Sequence, residues 1–440
     1  MSKILLIKNK IKKFNKQIKV SGDKSLSIRW VLLASQANGV SKGFNLLMSE
    51  DVLAAIDSIK RLGIKVNLHR NYCEIFGNGI NGFKYKKDLE INARNSGTLG
   101  RLLLGLLIKS PQKIKLIGDK SLSKRDFSRV TLPLEKFGAK FYYKTKNKLP
   151  LTILGSQSVK GIKYLENKGS AQCKSSVMLA ALNASGTTSI KAKKSRNHSE
   201  LFFKHLKIPI KIKKTKKYDF IDIKKPKKIK AFNYQIPGDI SSSAFFMVLT
   251  ILADNSKLLI KDVNINSSRT GVITILKKMG AKILLKNQKN YKGEKISDIL
   301  IKSSNNLKSI NCPPNLNSNA IDEFLVIFLV AARAKGISYF RDLSELNQKE
   351  SPRLNWGSKI LNMMGIRTEL KKNSIKIYGQ PSLEITKPII IKNYLKDHRV
   401  FMMSTVAALT CGGQWKIHDK NSINTSFPSF LEIINKISNR

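Results

Sequence analysis

The chain has 440 residues, 42% of them hydrophobic, with 81 Lys and Arg against 29 Asp and Glu and a formal net charge of +52. That much apolar content can bury a core, which excludes a disordered polybasic chain, and the charge excludes an acidic solvating one. The length points to two or three domains.

Only 15 of the cations are Arg. Nucleic-acid surfaces lean harder on the guanidinium fork, so the lysine surplus reads as solvated surface and the few arginines become the informative cations. The longest apolar runs, Ala244 to Leu249 and Phe324 to Ala332, fall short of the roughly 18 residues that span a bilayer. The apolar stretch within Met1 to Lys8 is too short for a signal peptide, so a cytoplasmic location is expected. Cys73, Cys173, Cys312 and Cys411 are scattered without a C-x-x-C pair, which predicts buried thiols in place of disulfides or a zinc site.

In chain order, Gly22-Asp23-Lys24-Ser25-Leu26-Ser27-Ile28-Arg29 predicts a turn and an N-capped helix that offers Lys and Arg to an anion. A helix ending at Leu62-Gly63-Ile64-Lys65 follows, with glycine as the left-handed stop before a cation that begins a strand. The same phrase returns as Phe137-Gly138-Ala139-Lys140, Met279-Gly280-Ala281-Lys282 and Met364-Gly365-Ile366-Arg367, with a weaker copy at Leu206-Lys207-Ile208. Counting a last helix at Phe430 to Ile437, the chain makes six helix-and-strand units of roughly 70 to 85 residues, an α/β or α+β arrangement.

Asn95-Ser96-Gly97-Thr98-Leu99-Gly100-Arg101 predicts a small-residue turn opening an apolar helix over Leu102 to Leu107; its spacing is not G-x-G-x-x-G, and Gly22 to Ser25 is not a P-loop. Gly118 to Arg125 repeats Gly22 to Arg29 at seven of eight positions. Lys211 to Lys230 holds ten Lys in twenty residues and alternates like exposed strands; almost no aromatic residue interleaves with the lysines, against a nucleic-acid groove. Pro237-Gly238-Asp239-Ile240-Ser241 opens another apolar helix. Farther on, Ile321-Asp322-Glu323, Gln348-Lys349-Glu350-Ser351-Pro352-Arg353 and Lys396-Asp397-His398-Arg399 juxtapose carboxylates and cations, which suits a site that holds anions while moving protons. Taken singly, each also fits a surface ion pair.

Together and in order, these phrases resemble the 5-enolpyruvylshikimate-3-phosphate synthase family of enolpyruvyl transferases. The likeness adds Gly169-Ser170-Ala171-Gln172-Cys173-Lys174-Ser175, Ser195-Arg196-Asn197-His198, Ser268-Arg269-Thr270-Gly271 and Thr425-Ser426-Phe427-Pro428, and runs from near residue 20 to near residue 430. It implies a two-domain α/β (α+β) fold, each domain of three βαβαββ units. Residues 21–237 would be continuous and residues 1–20 would join 238–440, with hinges near Val20 and Pro237. The active site would lie in the cleft between them, closing when shikimate 3-phosphate binds.

The resemblance also implies the reaction: the enolpyruvyl group of phosphoenolpyruvate passes to the 5-hydroxyl of shikimate 3-phosphate, phosphate leaves, and no metal or organic cofactor takes part. By position Lys24, Ser25, Arg29, Ser170, Ala171, Gln172, Ser195, Asp322 and Lys349 would hold shikimate 3-phosphate. Lys24, Gly97, Arg125, Gln172, Arg353 and Arg399 would hold phosphoenolpyruvate. Asp322 is the expected base for the 5-hydroxyl, Glu350 the group that protonates the methylene carbon, and Lys24 the group that exchanges a proton with the bridging oxygen. Gly97, lacking a side chain, leaves room for glyphosate and implies some sensitivity to it.

Two departures stand out: Pro352 and Asp126 occupy positions where the family commonly has Asp and Pro. Thr425 stands where some members carry a phosphoenolpyruvate-binding Lys. The expected partners are the two small-molecule substrates, with no nucleic acid, no membrane and a monomeric chain. A UDP-N-acetylglucosamine enolpyruvyl transferase is the rival within the fold, disfavoured by Ser25 where that family has Asn and by a loop, Gly118 to Arg129, without Cys. A basic RNA-binding protein would explain the charge but none of the carboxylates.

Overall fold

Wherever the glycine phrase recurs, the backbone turns left-handed: φ is 85° at Gly63, 98° at Gly138, 89° at Gly280 and 87° at Gly365. A Cβ is unfavourable there, so glycine ends each helix and releases the chain into the next strand. The weaker copy makes the same turn without glycine, with φ 55° at Lys207. The computed structural model describes residues 3–438.

The residues divide into two units, one running Gly22–Ile236 with Tyr291–Glu294, the other taking the chain up to Ser21, Pro237–Asn290 and everything from Lys295 on. Ser21 and Pro237 thus group with the discontinuous unit, and Tyr291–Glu294 with the continuous one, opposite to the boundaries read from the sequence.

The continuous unit holds three repeats. In the first, α1 (Lys24–Ser35) and α2 (Glu50–Arg61) connect a sheet of Asn38–Phe44, Lys65–Leu68 and Tyr72–Asn78; its remaining strand, Tyr234–Gln235, comes from the end of the unit and lies parallel to Asn38–Phe44. The second carries α3 (Gly97–Leu106) and α4 (Ser128–Glu135) on Leu89–Asn92, Ile114–Ile117, Leu151–Leu154 and Lys140–Tyr143. The third carries α5 (Ala171–Ala181) and α6 (His198–His205) on Lys163–Glu166, Thr187–Lys193, Tyr218–Lys224 and Ile210–Lys214. Each sheet has one parallel pair and an antiparallel return, the βαβαββ pattern.

The discontinuous unit repeats the plan with smaller sheets, four strands in its first repeat and three in each of the others among the described residues. Helices α7 (Ile240–Leu252) and α8 (Gly271–Lys278) accompany Lys257–Asn264, Lys282–Tyr291 and Glu294–Lys302, completed by Asn15–Lys19 parallel to Lys257–Asn264. Next come α9 (Asn317–Ala320), α10 (Phe324–Ala332) and α11 (Arg353–Met363) with Gly336–Phe340, Thr368–Lys371 and Ser374–Gly379. Last are α12 (His398–Cys411) and α13 (Phe430–Ser438) with Ile389–Ile391, Trp415–Ile417 and the N-terminal Leu5–Ile7. Each unit has its own apolar core. The longest apolar runs lie in α7 and α10, and both are buried on every side, as a helix without a polar face must be. No helix among the described residues is long and apolar enough to cross a membrane. All four cysteines are buried free thiols, and burial raises Cys73 to about 12 and Cys312 to about 11.

The Gly-Asp motifs diverge for a physical reason. Asp23 caps α1 by accepting from Leu26 N at 2.9 Å, and Asp239 caps α7 by accepting from Ser241 N at 2.7 Å. Asp119 accepts from Leu122 N at 2.7 Å, yet only the 3-10 turn Leu122–Lys124 follows, in place of the helix its sequence suggested. Ile28 is buried where Lys124 is exposed, and the buried Trp30-Val31-Leu32-Leu33 that carries α1 into the core is replaced after Arg125 by Asp126-Phe127-Ser128-Arg129.

Candidate active site

In the continuous unit the candidate residues sit on first helical turns. The cap at Asp23 makes Lys24 and Ser25 the first two residues of α1, with backbone N–H groups and the positive end of the helix dipole beside them. Gly22 just before them is obligatory, since a Cβ would lie 2.1 Å from Asn45 O. Lys24 Nζ lies 3.0 Å from Asp51 Oδ2, on the first turn of α2. Arg29, one turn on, is only 4% exposed. Its Nε donates to Ser199 Oγ at 2.8 Å, Nη1 to Ser25 O at 3.0 Å and Nη2 to Ser175 Oγ at 3.0 Å, tying α1 to α5 and α6.

Ser170 caps α5 through Cys173 N at 3.3 Å, which places Ala171 and Gln172 at its start. Gln172 joins α5 to α3: its Nε2 donates to Thr98 Oγ1 at 2.9 Å, and its Oε1 accepts from Arg101 Nη1 at 2.6 Å. Gly97 opens α3 between two guanidinium groups, because a Cβ there would meet Arg101 Nη1 and Arg125 Nη1, each at 3.0 Å. Arg125 Nη2 donates to Asn95 Oδ1 at 3.0 Å. Burial, with Arg125 and Arg129 nearby, pulls the Arg101 pKa below its ordinary value. Clustered guanidinium groups of this kind are relieved by an anion. Ser195 Oγ, before α6, is shielded from solvent and makes no hydrogen bond within the described residues.

In the discontinuous unit the candidates interlock. Asp322 lies in the turn between α9 and α10, where its Oδ1 is 3.3 Å from Lys349 Nζ and 3.5 Å from Arg353 Nη1. Arg353, the first residue of α11, is 2% exposed and also donates to Glu350 Oε2. Its Nε reaches Asp397 Oδ2 at 2.9 Å and its Nη2 reaches Asp397 Oδ1 at 3.2 Å. Asp397 caps α12 by accepting from Arg399 N at 2.9 Å, and it takes a further bond from Ser351 Oγ at 2.8 Å. Arg399 Nη1 donates to Asp322 O at 2.6 Å. Burial works against the Arg353 charge, but Asp397, Glu350 and Asp322 outweigh it and raise the pKa above the ordinary arginine value. Burial likewise opposes the Asp397 charge, yet Arg353 holds this carboxyl below the usual range.

The structure therefore brings Lys24, Ser25, Arg29, Gly97, Arg125, Ser170, Ala171, Gln172 and Ser195 into one unit, and Asp322, Lys349, Glu350, Arg353 and Arg399 into the other. Thr425, 3.3 Å from His398 Nδ1, serves α12 by a side-chain contact. Sequence reasoning gave no role to Asp51, Asn95, Ser175 and Ser199, and marked Asp397 only as the carboxylate of a charged phrase. Asp397 had a visible signal, an Asp just before a helix whose second residue is Arg; the pairing of Asp51 with Lys24 had none.

Comparisons with known proteins agree over nearly the whole chain. The family model described as EPSP synthase (3-phosphoshikimate 1-carboxyvinyltransferase) matches residues 8–434. A protein of Ruthia magnifica named 3-phosphoshikimate 1-carboxyvinyltransferase is 41% identical over 421 residues, covering 96% of this chain and 94% of that protein. A Bacillus subtilis protein of the same name is 33% identical over 435 residues, covering 98% and 99%. Among solved structures, EPSP synthase from Acinetobacter baumannii superposes with a TM-score of 0.87 at 34% identity, covering 99% of this chain and 98% of that one. The enolpyruvyl transferase NikO from Streptomyces tendae shares the fold, with a TM-score of 0.77 at 14% identity and the same coverage.

Proposed function

The chain belongs to the EPSP synthase family, the 3-phosphoshikimate 1-carboxyvinyltransferases, and from that premise we propose how its residues carry the enolpyruvyl group of phosphoenolpyruvate to the 5-hydroxyl of shikimate 3-phosphate. Lys24, Ser25, Arg29, Ser170, Ala171, Gln172 and Ser195 hold shikimate 3-phosphate, together with Lys349 and Asp322. The buried Ser195 hydroxyl without an internal partner supports this, since a phosphate oxygen would satisfy it. Gly97, Arg125, Gln172, Arg353 and Arg399 hold phosphoenolpyruvate, with Lys24 touching both substrates.

The steps are an addition and an elimination. Asp322 takes the proton of the 5-hydroxyl as its oxygen attacks C2 of phosphoenolpyruvate, and Glu350 delivers a proton to the methylene carbon, giving a tetrahedral intermediate. Reversal of proton flow at the methyl group then regenerates the double bond while phosphate leaves, with Lys24 supplying a proton to the bridging oxygen. General acid–base transfers of this kind contribute about 10²- to 10⁴-fold each. The observation that carries this reading is the mesh in which Asp322, Lys349, Glu350 and Arg353 meet: two carboxylates held by cations in one place can exchange protons beside bound anions. The reaction runs in the cytoplasm, on a single chain, without cofactor or nucleic acid.

The test is phosphate release with the two substrates together and separately. Release that needs both and disappears in Lys24→Met supports the proposal; release driven by UDP-N-acetylglucosamine in place of shikimate 3-phosphate overturns it.

A further inference from the structure

Helix α11 begins at Arg353 with Pro352 in the capping position and no side-chain cap there. The first turn of any helix leaves backbone N–H groups without intrahelical partners. An Asp, Asn, Ser or Thr at the cap normally accepts from the second or third residue, and proline has no side-chain oxygen to do so. In this chain the acceptor comes from elsewhere. Asn347 Oδ1 accepts from Leu354 N at 2.9 Å and lies 3.4 Å from Asn355 N, while its Nδ2 donates to Asn355 Oδ1 at 3.2 Å. Leu354 and Asn355 are the second and third residues of α11.

Asn347 is held in turn by the 3-10 turn Ser344–Gln348, which Leu343 and Leu346 pin into the core. The bond from Leu354 to Asn347 therefore closes a short loop whose contents are Gln348, Lys349, Glu350, Ser351, Pro352 and Arg353. Three of these are candidate site residues. Asp397 grips the Arg353 guanidinium and the Ser351 hydroxyl from one side of this loop; the Asn347 amide clasps its base.

We infer that Asn347 is a positioning residue for the transfer reaction, a remote cap that sets the backbone carrying Lys349, Glu350 and Arg353 where Pro352 cannot. The inference rests on the reading of Glu350 and Arg353 given above. Its chemical consequence is geometric: Glu350 must reach the methylene carbon along a defined line, and displacements of an ångström in such groups cost up to about a hundredfold.

The experiment compares the parent chain, Asn347→Ala, Pro352→Asp and the double variant by phosphate release at varied concentrations of each substrate, with thermal unfolding and amide exchange at Leu354 alongside. Asn347→Ala is expected to lower kcat about tenfold while remaining folded at the assay temperature, and to speed exchange at Leu354. Adding Pro352→Asp, whose carboxylate can accept the same N–H groups, is expected to restore most of the kcat and the protection. A kcat within about twofold of the parent in Asn347→Ala, or a loss that Pro352→Asp leaves unrepaired, overturns the inference. An inactive parent chain overturns the reading of the site instead, and unchanged exchange at Leu354 then disposes of the cap independently.

Discussion

The two groups of candidate residues are built from the same part, the first turn of a helix, and differ in what faces their arginines. In the continuous unit the hydrogen bonds described for Arg29, Arg101 and Arg125 end on neutral oxygens: serine hydroxyls, a backbone carbonyl and the side-chain amides of Gln172 and Asn95. In the discontinuous unit Arg353 meets Asp397, Glu350 and Asp322 at once. Neutral acceptors orient a guanidinium, while a carboxylate facing it favours the charged form of both groups. One arrangement suits holding phosphates and carboxylates, and the other sets carboxylates among its anion-holding cations, where protons can also be moved.

This contrast can be broken from either side. The largest effect is expected from Asp322→Asn, which removes the proposed base and a partner of both Lys349 and Arg353: steady-state phosphate release should fall about a thousandfold, and near-normal turnover would remove Asp322 from the base role. Asp397→Asn comes next, because it leaves a buried guanidinium short of its main counter-charge; chemical denaturation should show a loss of about 3 kcal/mol. The same variant carries a pH signature. The folded pKa of Asp397 is depressed, so its contribution is complete above the unfolded carboxylate value of about 4 and is lost as pH falls through the lower folded value. Asn at this position should flatten that acid limb of the stability profile.

On the neutral-partner side, Arg125→Ala should lower kcat/KM for phosphoenolpyruvate about thirtyfold, mostly through KM, if its charge is spent on ligand. A loss of stability with unchanged KM would mean that Arg125 is structural and the contrast is false. The smallest effect belongs to Gly97→Ala. The added Cβ crowds two guanidinium groups at 3.0 Å, and a rise of about threefold in KM for phosphoenolpyruvate is expected, with kcat nearly unchanged.

Much of this could be read along the chain because it is written locally. Glycine stops, Asp caps and apolar helices depend on near neighbours, and the six repeats follow from them. What could not be read is written across the fold. The lysine-rich stretch shows few aromatic residues in sequence, yet strand register sets Phe220 opposite both Lys191 and Lys213, and Lys191 Nζ lies 4.9 Å from the Tyr218 ring. Gly118 to Arg125 looked like Gly22 to Arg29 and folded differently, since the buried apolar run Trp30 to Leu33 that continues α1 has no counterpart after Arg125. Ser175 and Ser199, which accept from Arg29, lie far along the chain, and no local pattern announces them.

The borrowed strands have a consequence for how the protein is made. Tyr234–Gln235 completes the first sheet of the continuous unit, so that unit has all its strand pairings once Ile236 leaves the ribosome, with only Tyr291–Glu294 still to join it. The discontinuous unit is in the opposite position. Its strand Asn15–Lys19 waits for Lys257–Asn264, and Leu5–Ile7 waits for Trp415–Ile417, nearly the whole length of the chain later. Such distant pairings form slowly, and until they do Leu5–Ile7 and Asn15–Lys19 are unsatisfied strand edges. During translation one unit can pair all its strands while the other still holds Leu5–Ile7 and Asn15–Lys19 in reserve.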